Sequence, residues 1–433
     1  MSGAPEREAD VVVVGGGIVG CAAAYYLARR GVRAVGVERG AVSGEQSRKN
    51  WGFVRQQGRD PAEVPLMMEG NRIWRGLERE LGADIEWVQG GNLALAADPA
   101  RMAMFEEWLP VAREFGLDTR LLRRGDLAAV VPGLGGQWFG GMLTPGDGHA
   151  DPGKSTDALA RAAAAHGAAI HLGCAVEGVA TRHGAVSAVI TERGEIRTSW
   201  VVCAAGAWSS RLARALGFSL PQRWVRGTVA RTTAAPPVTA CAVWGPGVAF
   251  RQRTDGSFTI AAGGALDHDV TLDSLRQIRF FLPNFWKNKA LFRFHVGRPL
   301  ARSLAAALPG SSARRHPLIW DRGIEPRPNP AKVARSLAEL QRVLPSLPRL
   351  GIAESWAGYI DATPDLRPVL GPVHGLRGFV FATGFSGHGF AMGPIAGRLV
   401  SELIVDGKTS LDIAAFRFSR FAEGAIGKPR NVL

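Results

Sequence analysis

Apolar and polar positions fall into short blocks along this chain rather than into one uniform period. Asp10–Val14 (DVVVV) is a β-branched run that reads as a buried parallel strand. It runs directly into Gly15-Gly16-Gly17-Ile18-Val19-Gly20. Cys21–Arg30 (CAAAYYLARR) then has the residues and spacing of a helix packed on a sheet, stopped at Gly31. Val32–Val37 predicts a second strand, ending at Glu38. Farther on, Leu159–His166 predicts a helix, Ala169–Leu172 and Val186–Ile190 predict strands, and Trp200–Ala204 predicts an apolar strand ending in Ala205-Gly206-Ala207-Trp208. From about 223 to 262 the pattern is strand-rich, with Phe250–Arg253 and Ser257–Ala261 flanking a hairpin turn at Thr254-Asp255-Gly256. Leu275–Leu308 reads as helical pieces rich in aromatics. A helix follows over Ala331–Leu344, and the end of the chain carries a strand at Gly378–Thr383, a glycine block at Gly384–Phe390 and a helix to about Ile404.

The opening unit carries the first chemical signal. A strand, a glycine loop, a helix and a second strand ending in an acid occupy about 30 residues, the pattern of a dinucleotide site. Gly15 permits the tight turn, Gly17 lets backbone approach a pyrophosphate, and Gly20 lets helix and strand pack closely. The helix N-terminus presents free N–H groups and the positive end of its dipole to phosphate, with Ile18 and Val19 of the glycine loop expected at the cofactor. Glu38 is placed to accept hydrogen bonds from ribose hydroxyls. This unit alone leaves FAD and NAD(P) both open.

Composition narrows the class. The 433 residues suffice for two or three domains, with 46% hydrophobic and 21% charged positions. Apolar stretches such as Cys21–Ala28 fall far short of the roughly 20 residues of a membrane helix, so no span is expected. The polar start, Met1–Asp10, shows no signal segment, and the expectation is a cytoplasmic protein. The net charge of +14 raises nucleic-acid binding as an alternative. With only seven lysines among 52 basic residues, however, the arginines are scattered rather than gathered in a stripe, and no nucleic-acid partner is expected. Cys21, Cys174, Cys203 and Cys241 stand singly in apolar contexts, and neither they nor the nine histidines show metal-ligand spacing. No metal is expected. The alternation of text makes the layout discontinuous: 1–85, 140–222 and 346–433 form the nucleotide-binding part, and 86–139 with 223–345 form insertions.

Four stretches in order resemble the D-amino-acid oxidase (DAO) superfamily, in its glycine oxidase/sarcosine oxidase branch. They are the glycine loop to Glu38, Gly148-His149-Ala150-Asp151-Pro152, Val201–Trp208, and Trp356-Ala357-Gly358 through Gly389. The resemblance implies an α/β fold: a Rossmann-like FAD-binding domain and a discontinuous α+β substrate-binding domain on an antiparallel sheet. It also implies FAD as the cofactor. Besides Gly15, Gly17, Ile18, Val19, Gly20 and Glu38, the positions expected at FAD are Arg39, Ser47, Arg48, Lys49, Asn50, Trp51, Gly52, Val176, Ala205, Gly206, Trp208, Gly358, Gly384, Ser386, Gly387, His388, Gly389 and Phe390.

The departures from the family pattern shape the functional expectation. Sarcosine oxidases carry the flavin on a cysteine where this chain has Gly358, so the FAD is expected to be non-covalent. Ile360 stands where glycine oxidases place a carboxylate-binding arginine, and Ala391 where sarcosine oxidases use a lysine. Arg55 matches an arginine that binds carboxylate in the sarcosine branch; Arg226 and Tyr359 are further candidates for the reaction site. Thr259 aligns with the lysine that activates oxygen in sarcosine oxidases, which leaves O2 or an unknown carrier as the electron acceptor. The aromatics Phe280, Phe281, Phe285, Trp286, Phe292 and Phe294 form either a helical core or a pocket for an N-substituent. The resemblance implies an FAD-dependent amine oxidase for a secondary amine or N-substituted glycine, cleaved to glyoxylate and an amine in a specialised biosynthetic pathway. The alternative is a D-amino-acid or opine dehydrogenase.

Overall fold

The computed structural model describes residues 6–263, 266–282, 292–311, 318–319, 322 and 325–428. Six strands form the first sheet, in the order Val369–Pro372, Phe379–Thr383, Trp200–Cys203, Val11–Val14, Ala34–Val37, Ala169–His171. All pairs are parallel except the first. The parallel strands at the centre are buried on both faces, which explains their unbroken apolar text. A three-stranded sheet of Val176–Arg182, Ala185–Thr191 and Gly194–Arg197 covers one side.

The first helix, Ile18–Ala28, is buried along its whole length. It lies between the sheet and two other helices, Pro152–Ala165 and Gly389–Asp406. Asp151 caps the former by accepting from the Lys154 N–H at 2.8 Å, with Pro152 in the first turn. Close packing of the first helix depends on the absence of side chains. A Cβ at Gly20 would stand 2.0 Å from the Gly15 carbonyl oxygen, and one at Gly15 (φ 116°) would stand 2.4 Å from that of Ala204.

The second sheet has ten strands. Nine run in the order Phe292–His295, Leu266–Asp269, Arg223–Thr232, Phe258–Ala262, Val248–Gln252, Ala242–Trp244, Asn92–Ala96, Gly140–Thr144, Arg120–Arg123. Ile352–Ala362 pairs with Arg223–Thr232 over nearly its whole length. Most pairs are antiparallel, but Ala242–Trp244 with Asn92–Ala96 and Leu266–Asp269 with Phe292–His295 are parallel, so the sheet is mixed. Helix Pro330–Val343, capped by Asn329, packs on it through Leu340 and Val343. The hairpin expected around Thr254–Gly256 is present.

Gly140–Thr144 and Ile352–Ala362, assigned from the sequence to the nucleotide-binding part, are hydrogen-bonded into the ten-stranded sheet. Their partners lie far away in sequence, so no local pattern could place them. Between 275 and 308 the described residues form helical pieces at Leu272–Arg276, 278–282 and Arg298–Ala307, as expected, with strand Phe292–His295 among them. Phe285 and Trp286 lie outside the described residues. Phe281 is buried, whereas Phe294 is 45% exposed. No helix among the described residues is long and apolar enough to cross a membrane.

The C-terminal segment is tied down by one buried ion pair. Arg420 Nε and Nη2 meet the two Asp365 carboxylate oxygens at 2.9 and 3.0 Å. Its other donors reach the carbonyls of Phe416, Arg417 and Arg367 at 3.0–3.1 Å. Arg420→Ala would strand Asp365 as a buried uncompensated charge, and should cost about 3–5 kcal/mol. Equilibrium urea unfolding followed by circular dichroism measures this loss, and a cost within error of zero would show that the clamp carries no stability.

Candidate functional site

A groove crosses the C-terminal ends of the parallel strands, where doubly wound sheets bind ligands. The expected cofactor positions that line it are Gly15, Gly17, Ile18, Val19, Glu38, Arg39, Ser47, Asn50, Val176, Ala205, Gly206, Trp208, Gly387, Gly389 and Phe390. Tyr359, expected at the reaction site, lines it too. At one end the Glu38 carboxylate accepts from the Gly16 and Gly40 N–H groups at 2.6 and 2.7 Å, which fixes its orientation. The first helix has no side-chain cap at Gly17, and Ser47 Oγ accepts from the Ile18 N–H at 2.9 Å. Arg39 lies 3.9 Å from the Trp208 ring centroid, forming a flat wall.

At the other end stands the Gly384–Phe390 block. The Asp361 carboxylate accepts from the Gly384 N–H at 2.7 Å and pins this bend to the long strand. Burial raises Asp361 to about 6, opposed by the backbone N–H groups of Gly384 and Phe385. Ser386 accepts from the Thr363 N–H at 3.1 Å, and His388 sits 3.2 Å from Glu63. Burial first, then Arg59, lowers the His388 imidazole to about 4. His388 is therefore neutral at pH 7.

Other expected positions lie behind the groove. Gly20 is buried in helix packing; Arg48 faces outward onto Asp157, and Lys49 lies between Glu45 and Glu325. Gly358 backs onto Gln46 and Lys49, and Gly384 onto Thr363. Trp51 packs against Trp244 at a 44° tilt, with centroids 4.7 Å apart. Arg55 is buried, donates from Nη1 to the Gln57 carbonyl at 2.7 Å, and lies 5.5 Å from the Trp244 ring centroid. Arg226, in the ten-stranded sheet, meets Asp269 at 3.4 Å.

The sequence reading missed Arg251. It is 1% exposed, and its Nε donates to the Trp51 carbonyl at 2.7 Å, one residue beyond the groove-lining Asn50. Its Nη1 and Nη2 are buried and meet no hydrogen-bond partner among the described residues. Burial above all, then Arg253, lowers this guanidinium to about 10. Directly across the ladder stands Thr259, also buried, with its Oγ1 equally unpartnered. Gly52 leaves room for Arg251: a Cβ there would lie 2.7 Å from its Nε. Among the described residues two donor nitrogens and, on the neighbouring strand, a hydroxyl thus stand without partners, with Arg251 anchored on the Trp51 backbone, an arrangement suited to a carboxylate. In the sequence Arg251 is one arginine among many in a strand; only its burial with both terminal nitrogens unspent among the described residues distinguishes it.

Residues 10–403 match the family described as FAD dependent oxidoreductase (DAO). Mitochondrial sarcosine dehydrogenase of Mus musculus is 28% identical over 95% of this chain. The chain spans only 41% of that relative's length, and a similar share of the mitochondrial dimethylglycine dehydrogenase of the same organism, 44%. Glycine oxidase of Geobacillus kaustophilus (strain HTA426) is 26% identical, covering 95% of this chain and 97% of the relative. Among solved structures, L-amino acid deaminase from Proteus myxofaciens, in complex with anthranilate, has a TM-score of 0.89 at 28% identity, over 97% of this chain and 95% of that one.

The close approach at Gly15 yields a direct test. Gly15→Ala should weaken FAD binding at least about tenfold, because its Cβ meets backbone on the sheet. Gly31→Ala, also at positive φ but with nothing within 4 Å, should leave FAD affinity unchanged and cost only about 1 kcal/mol of stability. Flavin fluorescence titration of both proteins decides it; equal affinities would remove the Gly15 turn from the binding site.

Proposed function

The chain belongs to the DAO family of FAD-dependent oxidoreductases, and from that premise we propose that it oxidises the carbon–nitrogen bond of an amino acid, a secondary amine or N-substituted glycine. The observation that carries the substrate class is Arg251, a fully buried guanidinium with both terminal nitrogens unspent.

The groove residues fit the cofactor. Gly15 holds backbone where no side chain could stand, a Cβ at Gly17 would crowd Ser47 Oγ at 2.9 Å, the helix start suits the pyrophosphate, and Glu38 suits ribose hydroxyls. Among the described residues no cysteine or histidine lines the groove, and Gly358 offers no nucleophile, which supports a non-covalent flavin. When bound, the flavin supplies the two-electron acceptor for the reaction.

The protein's own task is orientation. Arg251 and Thr259 receive the substrate carboxylate, the first as a fork of parallel donors. Arg55 adds a second positive charge near Trp244, and Tyr359 borders the reacting end. Trp51 and Trp244 offer an apolar wall to the carbon chain. The product imine hydrolyses in water, yielding glyoxylate and an amine from an N-substituted glycine. Thr259 supplies no positive charge of its own, which supports a carrier as readily as O2 for the electrons. A D-amino-acid dehydrogenase using such a carrier is the second reading, and comparing peroxide yield with dye reduction separates the two.

Anaerobic flavin bleaching with N-alkyl glycines and D-amino acids tests the class. Bleaching by N-alkyl glycines is expected, and a flavin-loaded protein that no amino acid bleaches would overturn the proposal. Acid precipitation should release all of the flavin to the supernatant; flavin retained on the pellet would contradict non-covalent binding. Arg251→Gln removes two charge-assisted hydrogen bonds, each worth roughly 1.5–3 kcal/mol. KM for a carboxylate substrate should rise about a hundredfold or more, while the urea midpoint should not fall below that of the parent protein. An unchanged KM would take Arg251 out of the site.

A further inference from the structure

A chamber of about 790 Å³ lies beside the groove, and Tyr359 walls both. Helix Ser209–Ala215, the start of strand Arg223–Thr232, helix Arg298–Ala307 and the turn at Glu325–Arg327 enclose it. Its lining holds eight arginines against three carboxylates. Those carboxylates are already engaged. Asp273 meets Arg214 and Arg276 at 2.7 and 3.2 Å, Asp269 meets Arg226 at 3.4 Å, and Glu325 faces Lys49 at 3.4 Å.

Among the described residues, Arg223, Arg298, Arg302 and Arg327 meet no carboxylate at all. Arg223 is the most confined of them. Its Nε is buried without a partner, and its guanidinium lies 4.2 Å from the Phe281 ring centroid. Burial alone lowers it to about 10, with no neighbouring carboxylate to oppose that shift. Trp224 and Tyr359, packed at a tilt with ring centroids 4.8 Å apart, form the wall nearest the groove.

We infer that this chamber receives a second anionic group of the substrate, an oxyanion carried on the amino acid at a distance from the reacting nitrogen. The inference rests on the amino-acid reading for the reacting end, and it replaces an apolar N-substituent with a charged one. A greasy substituent would leave unneutralised guanidinium groups around it. A carboxylate or phosphate instead meets forks of matching geometry, in a concavity that focuses positive potential. The volume falls in the range of roughly 300–1,000 Å³ typical of small-molecule sites, far more than glycine needs.

Calorimetric titration of the flavin-loaded protein with citrate and with pyrophosphate tests the chamber directly, without turnover. Binding of either anion is expected, and weakening by at least about tenfold in the Arg223→Gln/Arg302→Gln double variant. Tighter citrate binding assigns a carboxylate arm, and tighter pyrophosphate binding a phosphate ester. Absence of binding by both anions, or equal binding to parent and variant, overturns the inference. In kinetics, the double variant should raise KM for an acidic N-substituted glycine while leaving kcat and the KM of a neutral analogue unchanged. Equal KM changes for the acidic and neutral substrates would overturn it. If the amino-acid reading itself is wrong, no amine bleaches the flavin although the anions still bind and still discriminate the variant.

Discussion

Every feature of the groove depends on how closely the first helix approaches the first sheet. The Gly20 position leaves no space for a methyl group above the Gly15 carbonyl, nor does Gly15 above that of Ala204. This contact aims the start of Ile18–Ala28 across the ends of the parallel strands. The same helix meets Gly389–Asp406 just as tightly, where a Cβ at Gly397 would lie 2.5 Å from Ala22 backbone. The two ends of the chain are therefore fastened to each other. The Gly384–Phe390 bend inherits its position from that fastening, and Asp361 then fixes it to the ten-stranded sheet. Cofactor groove and substrate face are thus held by one run of close backbone contacts.

Two fully buried arginines show how the same side chain can close a structure or open a site. Arg420 spends its donors on Asp365 and three carbonyls, so its burial is compensated within the protein. Arg251 spends only Nε. Leaving a buried charged donor unsatisfied costs about 1–3 kcal/mol or more, so Arg251 persists against a stability penalty. Strained or unsatisfied groups of this kind gather where a ligand completes them. That asymmetry, rather than proximity to any motif, separates Arg251 from the other arginines of this chain.

The first nucleotide unit could be read from sequence because all its parts lie within about 30 residues and each has a local cause. The C-terminal glycine block was found for the same reason. What escaped was non-local. Whether Arg251 is buried depends on Trp51 and Gly52, some 200 positions earlier, and its alternating neighbours would suit an exposed strand equally well. Strands Gly140–Thr144 and Ile352–Ala362 read as nucleotide-domain text because they adjoin it in sequence, yet their hydrogen bonds go to the other sheet. Arg55 was singled out through family resemblance as a carboxylate-binding candidate; its burial beside Trp244 and its hydrogen bond to the Gln57 carbonyl have no sequence signature.

The charge of the chain also takes on a different meaning in three dimensions. Many surface arginines are paired, as in Arg33–Asp10, Arg48–Asp157 and Arg322–Glu192. Such exposed pairs contribute little to stability, but they neutralise the surface locally. The arginines around the chamber are the exception, being more numerous than the acids they face. A nucleic-acid surface would spread this excess over roughly 1,000–2,500 Å² of contact. Here it is gathered into a concavity next to the groove, and Tyr359 bridges the two by donating its hydroxyl to Asp269 at 3.1 Å. Asp269 also meets Arg226, so the residue at the groove and the arginines of the chamber share one carboxylate. An anion entering the chamber would compete with Asp269 for Arg226, and through that carboxylate it would act on the side chain that borders the reacting end.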